Sequence, residues 1–411
     1  MHEQSGIFAD LREYELPWDG PVHLCRGDLK LDFCVGTHGA QGAISPVVCG
    51  KGTSALDAKV SALCEALERH SGIFRGDEPR RTACYREVAN EAIHPNALTL
   101  FSESQYIDRD EWNRREGRHN WVPERFDEMR SVEWTPVWSL THQRTRYLPA
   151  AYCYFGYHFD PTHDFCRPDS NGNAAGSELD EAIVRGFLEL VERECVSIWW
   201  YNRLRRPGVE LESFGLPYTV ALRSFYLMIG RSVEVLDVTV HRNVPTFVAL
   251  SRSEDPPGKD YMFGFGAHFD ARVGLLRALT EMNQALPDVV SNRKVPSFVS
   301  STKEQTDDSF LIPSGTTVAT TCRDFPVPIT QNSSEDVQTC VNMVRSWGSE
   351  LLVLDQTRAD VGLPVAKVVV PGMRSWWARF APGRIYTLPV QMGWLSHAKS
   401  ESELNPDHLI V

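Results

Sequence analysis

Six glutamates at helical spacings, with arginines beside them, are the residues in this chain best placed to do chemistry. Glu65 and Glu68 stand three apart, with Ser61 one turn before them and Arg69 directly after. Glu181, Glu189 and Glu192 recur along one helical face and Arg193 follows. Arg277, Glu281 and Gln284 repeat the pattern at i, i+4 and i+7. Carboxylates converging from several helices make an oxygen cage for Mg²⁺, an ion that takes octahedral oxygen ligands and shares them with phosphates. Arginines beside such a cage suit phosphate oxygens. The competing reading is three amphipathic helices with solvated Glu-rich faces, a common arrangement. Like charges one turn apart repel, so three such faces without a counter-ion are unfavourable.

These side chains need helices to present them. Gly50-Lys51-Gly52 leads into Ser54 and Asp57, which have capping-box spacing. Val60, Leu63, Cys64 and Leu67 then give an apolar stripe at i, i+3, i+4, i+7. A second helix follows a Gly-containing loop and starts at Ser177; its apolar set is Ile183, Val184, Phe187, Leu188 and Val191. A third, within 267–286, uses Leu275, Leu276, Leu279 and Met282. Lys51 is either a nucleotide contact or an exposed lysine on a Gly-rich turn. Leu351–Asp355 and Val365–Val370 read as strands, closed by a Pro371-Gly372 turn. Strands mixed with amphipathic helices predict a mixed α/β fold. The charged stretch from Tyr106 to Trp134 reads as a surface insertion. The pairs Trp199-Trp200 and Trp376-Trp377 suit core packing, and structural roles are expected for His70 and His268.

The chain has 411 residues, 42 Lys+Arg against 54 Asp+Glu, and a formal charge of −12. That balance argues against non-specific binding to nucleic acid or an anionic membrane. The N-terminus lacks a basic segment followed by an apolar one, and no apolar run reaches membrane-spanning length. The ten cysteines are scattered without a C-x-x-C pair, so a structural zinc site is not expected. Reduced thiols and a cytoplasmic protein follow.

The runs G-K-G-T-S with S-A-L-C-E-A-L-E-R, N-G-N-A-A-G with E-L-V-E-R, and R-A-L-T-E-M-N-Q resemble the three signature blocks of the YcaO family, in order and spacing. The likeness covers nearly the whole chain and resembles most the cyclodehydratase branch of azole-modified peptide pathways. It implies a YcaO-type ATP-binding fold, a single domain over 1–411, with an insertion around 106–134 and a tail over 402–411. It implies ATP and Mg²⁺ as cofactors, with Glu65, Glu68, Glu181, Glu189, Glu192 and Glu281 at the metal. Lys51, Ser61, Arg69, Ser177, Arg193, Arg277 and Gln284 then fall at the nucleotide. The implied reaction is O-phosphorylation of backbone amides of a ribosomal precursor peptide, giving thiazolines or oxazolines from Cys, Ser or Thr. Thioamide or macroamidine formation, or a non-catalytic scaffold role, are the alternatives.

Two departures matter. The chain ends Asn405-Pro406-Asp407-His408-Leu409-Ile410-Val411, where many cyclodehydratases have a proline-rich tail. This tail is expected to be ordered, with its last three side chains packed near the nucleotide cavity. The first block starts near residue 50 with no E1-like or leader-binding segment before it, so a separate leader-binding partner is expected. A homodimer and a flavin dehydrogenase in the complex belong to the same expectation.

Overall fold

A computed structural model of the chain describes residues 6–30, 44–116, 120–157, 164–253, 261–291, 308–327 and 332–409. Cys34, Ile410 and Val411 fall outside these ranges. Strands β1 (Phe8–Glu13), β2 (His23–Leu29) and β3 (Val47–Gly52) form an antiparallel meander, followed by helix α1 (Ala55–Ser71). A larger antiparallel sheet takes β4 (Arg81–Cys84), β5 (Ser131–Ser139), β6 (Arg144–Pro149) and β7 (Asn173–Ala175). Helices α2 (Leu179–Asn202) and α3 (Pro217–Met228) come next. A second meander, β8 (Glu234–Asp237), β9 (Thr246–Ser251) and β10 (Met262–Ala267), runs into α4 (Ala271–Met282). After α5 (Ser333–Ser346), strands β11 (Leu352–Asp355) and β12 (Val365–Val369) complete the larger sheet, and α6 (Arg384–Gln391) follows. That sheet runs β4-β5-β11-β12-β7, with β6 also paired to β5. The fold is mixed α/β, as expected, with β11 and β12 where the apolar runs placed them. No helix among the described residues is long and apolar enough to cross a membrane.

Three local expectations need correction. In α1 the buried stripe is Ala58, Ala62 and Ala66, while Val60 is 50% exposed. The cause is Gly50: a Cβ there would lie 1.9 Å from the Ala58 carbonyl. The helix rides so close to β3 that only alanines fit beneath it, and larger apolar residues move to its flanks. Ser54 does cap α1, accepting from the Asp57 N–H. Helix α2 starts later than expected: Glu178 is its N-cap residue, and Ser177 instead donates to Glu181. Finally, the charged stretch 106–134 is only partly a surface excursion. It contains the helix Arg109–Arg115 and the start of β5, and Val122, Val132 and Trp134 are fully buried.

Helix α2 is the axis of the molecule. Ile183, Val184, Phe187, Leu188 and Val191 are buried as their spacing predicted. From Arg193 to Asn202 every residue is buried, because β9, β10, α5 and α6 surround this half. A carboxylate lies within it: Glu194 is 0% exposed. Arg384 forks onto Glu194 with two 2.6 Å hydrogen bonds, and the His241 ring nitrogen lies 2.9 Å away. The tail packs on the end of the same helix. Asn405 N–H donates to the Tyr201 carbonyl, Trp200 Nε1 donates to the Asp407 carbonyl, and Leu409 is fully buried. His408 stacks on Trp112 and contacts Glu116 at 2.8 Å.

Burial alone would raise the Glu194 carboxyl, but Arg384 and then His241 overcome it and hold the pKa at about 2. A carboxyl held below its unfolded value of ~4.3 stabilises the fold above that value, and loses its contribution as pH falls from about 4 toward 2. Breaking a buried pair from one side costs ~3–5 kcal/mol. Glu194→Gln is therefore expected to lower the urea midpoint strongly at pH 7. Its deficit against wild type should shrink as the pH of the titration is lowered below about 4. A variant matching wild type at pH 7 would show that the pair is incidental.

Candidate nucleotide and metal site

The two meander–helix units are built alike. Gly50 precedes Glu65 by the same interval as Gly266 precedes Glu281. A Cβ on Gly50 would meet Ala58 O and Ala62 N; one on Gly266 would meet Gly274 O and Ala278 N. The positions correspond one for one. In each unit a glycine on the last strand lets the following helix settle onto it, and this close approach carries a glutamate to a strand N–H. Glu65 Oε2 accepts from Cys49 N–H at 3.1 Å, and Glu281 Oε1 accepts from Phe265 N–H at 3.3 Å. The units meet each other through their polar groups. Lys51, on β3, pairs with Glu281, on α4. Gln284 Nε2 donates to the Cys49 carbonyl at 2.5 Å.

Helix α2 packs on the second unit and brings Glu189 and Arg193 close to Glu68 of the first. Glu192 Oε2 accepts from the Ala267 N–H at the end of β10, at 3.0 Å. Glu189 Oε2 accepts from the Gly172 N–H at 2.9 Å and pairs with Arg193 through its other oxygen. Arg193 also donates to Asn171 and lies over the Trp376 ring. Arg69 donates to Glu65 at 2.6 Å and to the Val47 carbonyl at 2.9 Å. Arg277 donates to the Ala267 carbonyl at 3.2 Å.

So much negative charge in one recess is unfavourable. Burial, then Glu189 and Glu65, push the Glu68 carboxyl well above its usual range. Burial raises Glu189 as well, against the pull of Arg193. Burial and the nearby Glu281 push Glu192 up to about 8. Glu181 goes the other way: hydrogen bonds from Ser177 and the charge of Arg185 outweigh its burial and hold it low. Among the described residues no three acidic or imidazole groups already stand as a metal cluster. Glu65, Glu189, Glu192 and Glu281 lean instead on a cation or a backbone N–H.

The sequence-predicted residues fall into two groups. Glu65, Glu68, Glu189, Glu192 and Glu281 come together in one recess with Lys51, Arg69, Arg193, Arg277 and Gln284. Glu181 and Ser177 form a local cluster with Arg185 at the start of α2, at the edge of that recess, where the Glu181 charge still reaches Arg277. Ser61 is half-buried on α1, one turn before Glu65. Sequence reasoning missed Lys367, which is 1% exposed on β12 and donates to Asp169 O, Asn171 O and Asn173 Oδ1. The signal was present: a lysine inside the otherwise apolar Val365–Val369 has to be buried with its charge answered.

The residues present fit a magnesium nucleotide. The donors are hard oxygens, five carboxylates stand against the four cations Lys51, Arg69, Arg193 and Arg277, and the buried Arg193 Nε has no hydrogen-bond partner among the described residues. Comparison with known proteins agrees. A solved heterocyclase in complex with substrate and cofactor is 42% identical, covers 98% of this chain and superposes with a TM-score of 0.89. The heterocyclase TruD is 44% identical over 87% of this chain, with a TM-score of 0.78. The chain spans only about half the length of those two, 55% and 51%. A YcaO protein from Methanopyrus kandleri, bound with AMPPCP and Mg²⁺, shares the fold at 21% identity, with a TM-score of 0.66 over 93% of this chain and 91% of its own. The family model of the ATP- and Mg²⁺-binding YcaO cyclodehydratases matches residues 49–374, and this chain belongs to the YcaO family, with ATP and Mg²⁺ as its cofactors.

Proposed function

We propose that this chain is an ATP-dependent enzyme that activates backbone amides of a ribosomal precursor peptide and closes Cys, Ser or Thr side chains onto them as thiazolines or oxazolines. The observation that carries the reading is the recess itself. Carboxylates from three helices crowd one site; burial raises Glu68, Glu189 and Glu192, neighbouring glutamates raise Glu68 and Glu192 further, and arginines stand among them. Such a set is under-neutralised on its own and satisfied by divalent cations bridging to phosphates.

In this reading Glu65, Glu68, Glu189, Glu192 and Glu281 hold Mg²⁺, with Glu181 at the edge. Lys51, Arg69, Arg193 and Arg277 face phosphate oxygens, and Ser61, Ser177 and Gln284 line the nucleotide. Bound Mg–ATP supplies the phosphoryl group that makes an amide oxygen a leaving group. The protein's share is alignment and charge neutralisation. Backbone N–H groups hold Glu65, Glu189, Glu192 and Glu281 before any ion arrives. A separate leader-binding protein presents the peptide, and the chain works in the cytoplasm as a homodimer; a flavin dehydrogenase would act on the azolines afterwards.

Two experiments test this. Incubation with Mg–ATP, the precursor peptide and its leader-binding protein is expected to remove one water per modified Cys, Ser or Thr. Heavy oxygen placed in the preceding carbonyl should appear in inorganic phosphate. A product that loses no water and instead gains mass by exchanging a carbonyl oxygen for sulfur would replace azoline formation with thioamidation.

The second concerns Glu192. Its folded pKa of about 8 lies above the ordinary ~4.3, so the group takes up a proton on folding and its contribution to stability declines as pH rises between those values. Glu192→Gln should therefore raise the melting temperature of the nucleotide-free protein at about pH 8. The same change should abolish the stabilisation that Mg–ATP gives wild type. It should also cut ATP hydrolysis at least about tenfold, or ~1.4 kcal/mol. A variant that still gains stability from Mg–ATP would place the ion elsewhere.

A further inference from the structure

Next to the acidic recess lies a cavity of about 1110 Å³. Arg69, Leu190 and Asn171 belong to its wall, and these are neighbours or partners of the recess glutamates. Much of the remaining wall is aromatic, including Phe101, Trp121, Phe155 and Trp377. A chamber walled by aromatic rings and by Arg167, Arg374 and Arg379, opening beside a phosphate site, is a place for a peptide segment whose amide is to be phosphorylated.

The turn Asp169–Asn173 borders both spaces. On one side Gly172 N–H holds Glu189, and the Asn171 side chain takes a hydrogen bond from Arg193. On the other, Asp169 lines the cavity. Lys367 fixes the turn from behind with hydrogen bonds of 2.8, 3.3 and 2.9 Å to Asp169 O, Asn171 O and Asn173 Oδ1. Its ammonium lies 3.9 Å from Asp169 Oδ1, the oxygen that also accepts the Asn171 N–H at 3.0 Å. Arg379, also in the cavity wall, and Tyr152 lie near Asp169 as well, and Glu189 faces it across the turn. One rigid turn thus holds a recess carboxylate and a cavity carboxylate in fixed relation.

A side chain attacking its preceding carbonyl must give up a proton. Among the described residues lining the cavity there is no imidazole, and Asp169 carries the one carboxylate. Tyr152, Tyr157 and Cys166 are kept protonated by burial, and the arginines offer no accepting lone pair. We propose that the peptide lies in this cavity and that Asp169 is the general base for ring closure, with Lys367 as its positioning residue. The proposal rests on the azoline reading above. The thiol or hydroxyl proton passes to Asp169 as the sulfur or oxygen bonds to the carbonyl carbon. The carbonyl electron pair moves onto its oxygen, which takes the terminal phosphoryl group as the nucleoside diphosphate departs. That oxygen later leaves as phosphate, while the amide nitrogen gives its proton to the departing phosphate and forms the C=N bond.

The test uses the full chain with Mg–ATP, the leader-binding protein and two synthetic precursor peptides that differ only in one Cys or one Ser. Asp169→Asn should slow closure of the Ser peptide at least ~100-fold. KM for the peptides, quenching of tryptophan fluorescence by peptide, and binding of a fluorescent ATP analogue should stay unchanged. The Cys peptide should suffer less, and its rate should recover as pH rises from about 7 to about 9, because a thiol then ionises unaided and a hydroxyl does not. In Asp169→Ala, added formate should restore part of the Ser rate. Equal losses on both peptides without pH recovery or formate rescue would make Asp169 merely structural, and a wild-type rate in Asp169→Asn would remove it altogether. If wild type binds ATP and both peptides yet closes neither ring, the azoline reading itself falls, and this proposal with it.

Discussion

The repulsion among buried carboxylates in one recess is the constraint on which the rest of this structure depends. Glu68, Glu189 and Glu192 are each raised by burial, and Glu68 and Glu192 also by neighbouring glutamates. A chain that collapses around such a set must hold every member against escape to solvent. Here the holding is done by backbone N–H groups at the ends of strands and at one turn, with arginines alongside. Those bonds exist only because glycines let helix and strand backbones come into contact. Gly50 and Gly266 are therefore part of the site's architecture, though neither carries a functional group.

Helix α2 ties this site to the rest of the molecule. Glu189 and Glu192 leave it on the recess side, and Glu194 leaves it on another, where Arg384 and His241 neutralise it. Two carboxylates two residues apart on one helix thus have opposite fates: Glu192 is pushed up to about 8 and Glu194 held at about 2. The difference lies in their partners, since both are buried. About two turns further on, Trp200 and Tyr201 receive the tail. Recess, C-terminal segment and tail therefore share one rigid element.

Much of this was legible in the sequence, for definite reasons. Periodicity placed the three site helices and the buried face of α2, because long amphipathic patterns have few alternatives. Alternation and apolar runs found β11 and β12. The stripe of α1 was misread because apolar size was taken as the guide, whereas Gly50 makes closeness the guide and selects alanine. The extent of the 106–134 insertion was misread because charge hid Val122, Val132 and Trp134. Glu194 looked like one more member of an acidic run; only its angular position on α2 separates it from Glu192, and its partners Arg384 and His241 are far away in sequence. Lys367 and Asp169 belong to no motif, and their significance appears only when the turn between recess and cavity is seen in three dimensions.

The correspondence between the two meander–helix units has a consequence for the symmetry of the cleft. Equivalent backbones frame it from both sides, but equivalent positions do not carry equal charge. Where α1 offers Ser61 and Glu68, α4 offers Arg277 and Gln284. The frame is a repeated pair, and its charges are placed differently: the first unit sets Lys51 and Arg69 against Glu65 and Glu68, where the second has Ala267 and Ala285 and sets Arg277 against Glu281. A linear anion entering such a cleft meets unlike walls and has a head and a tail from the start. Orientation is built in by the divergence of two like halves, without either half having to change its shape.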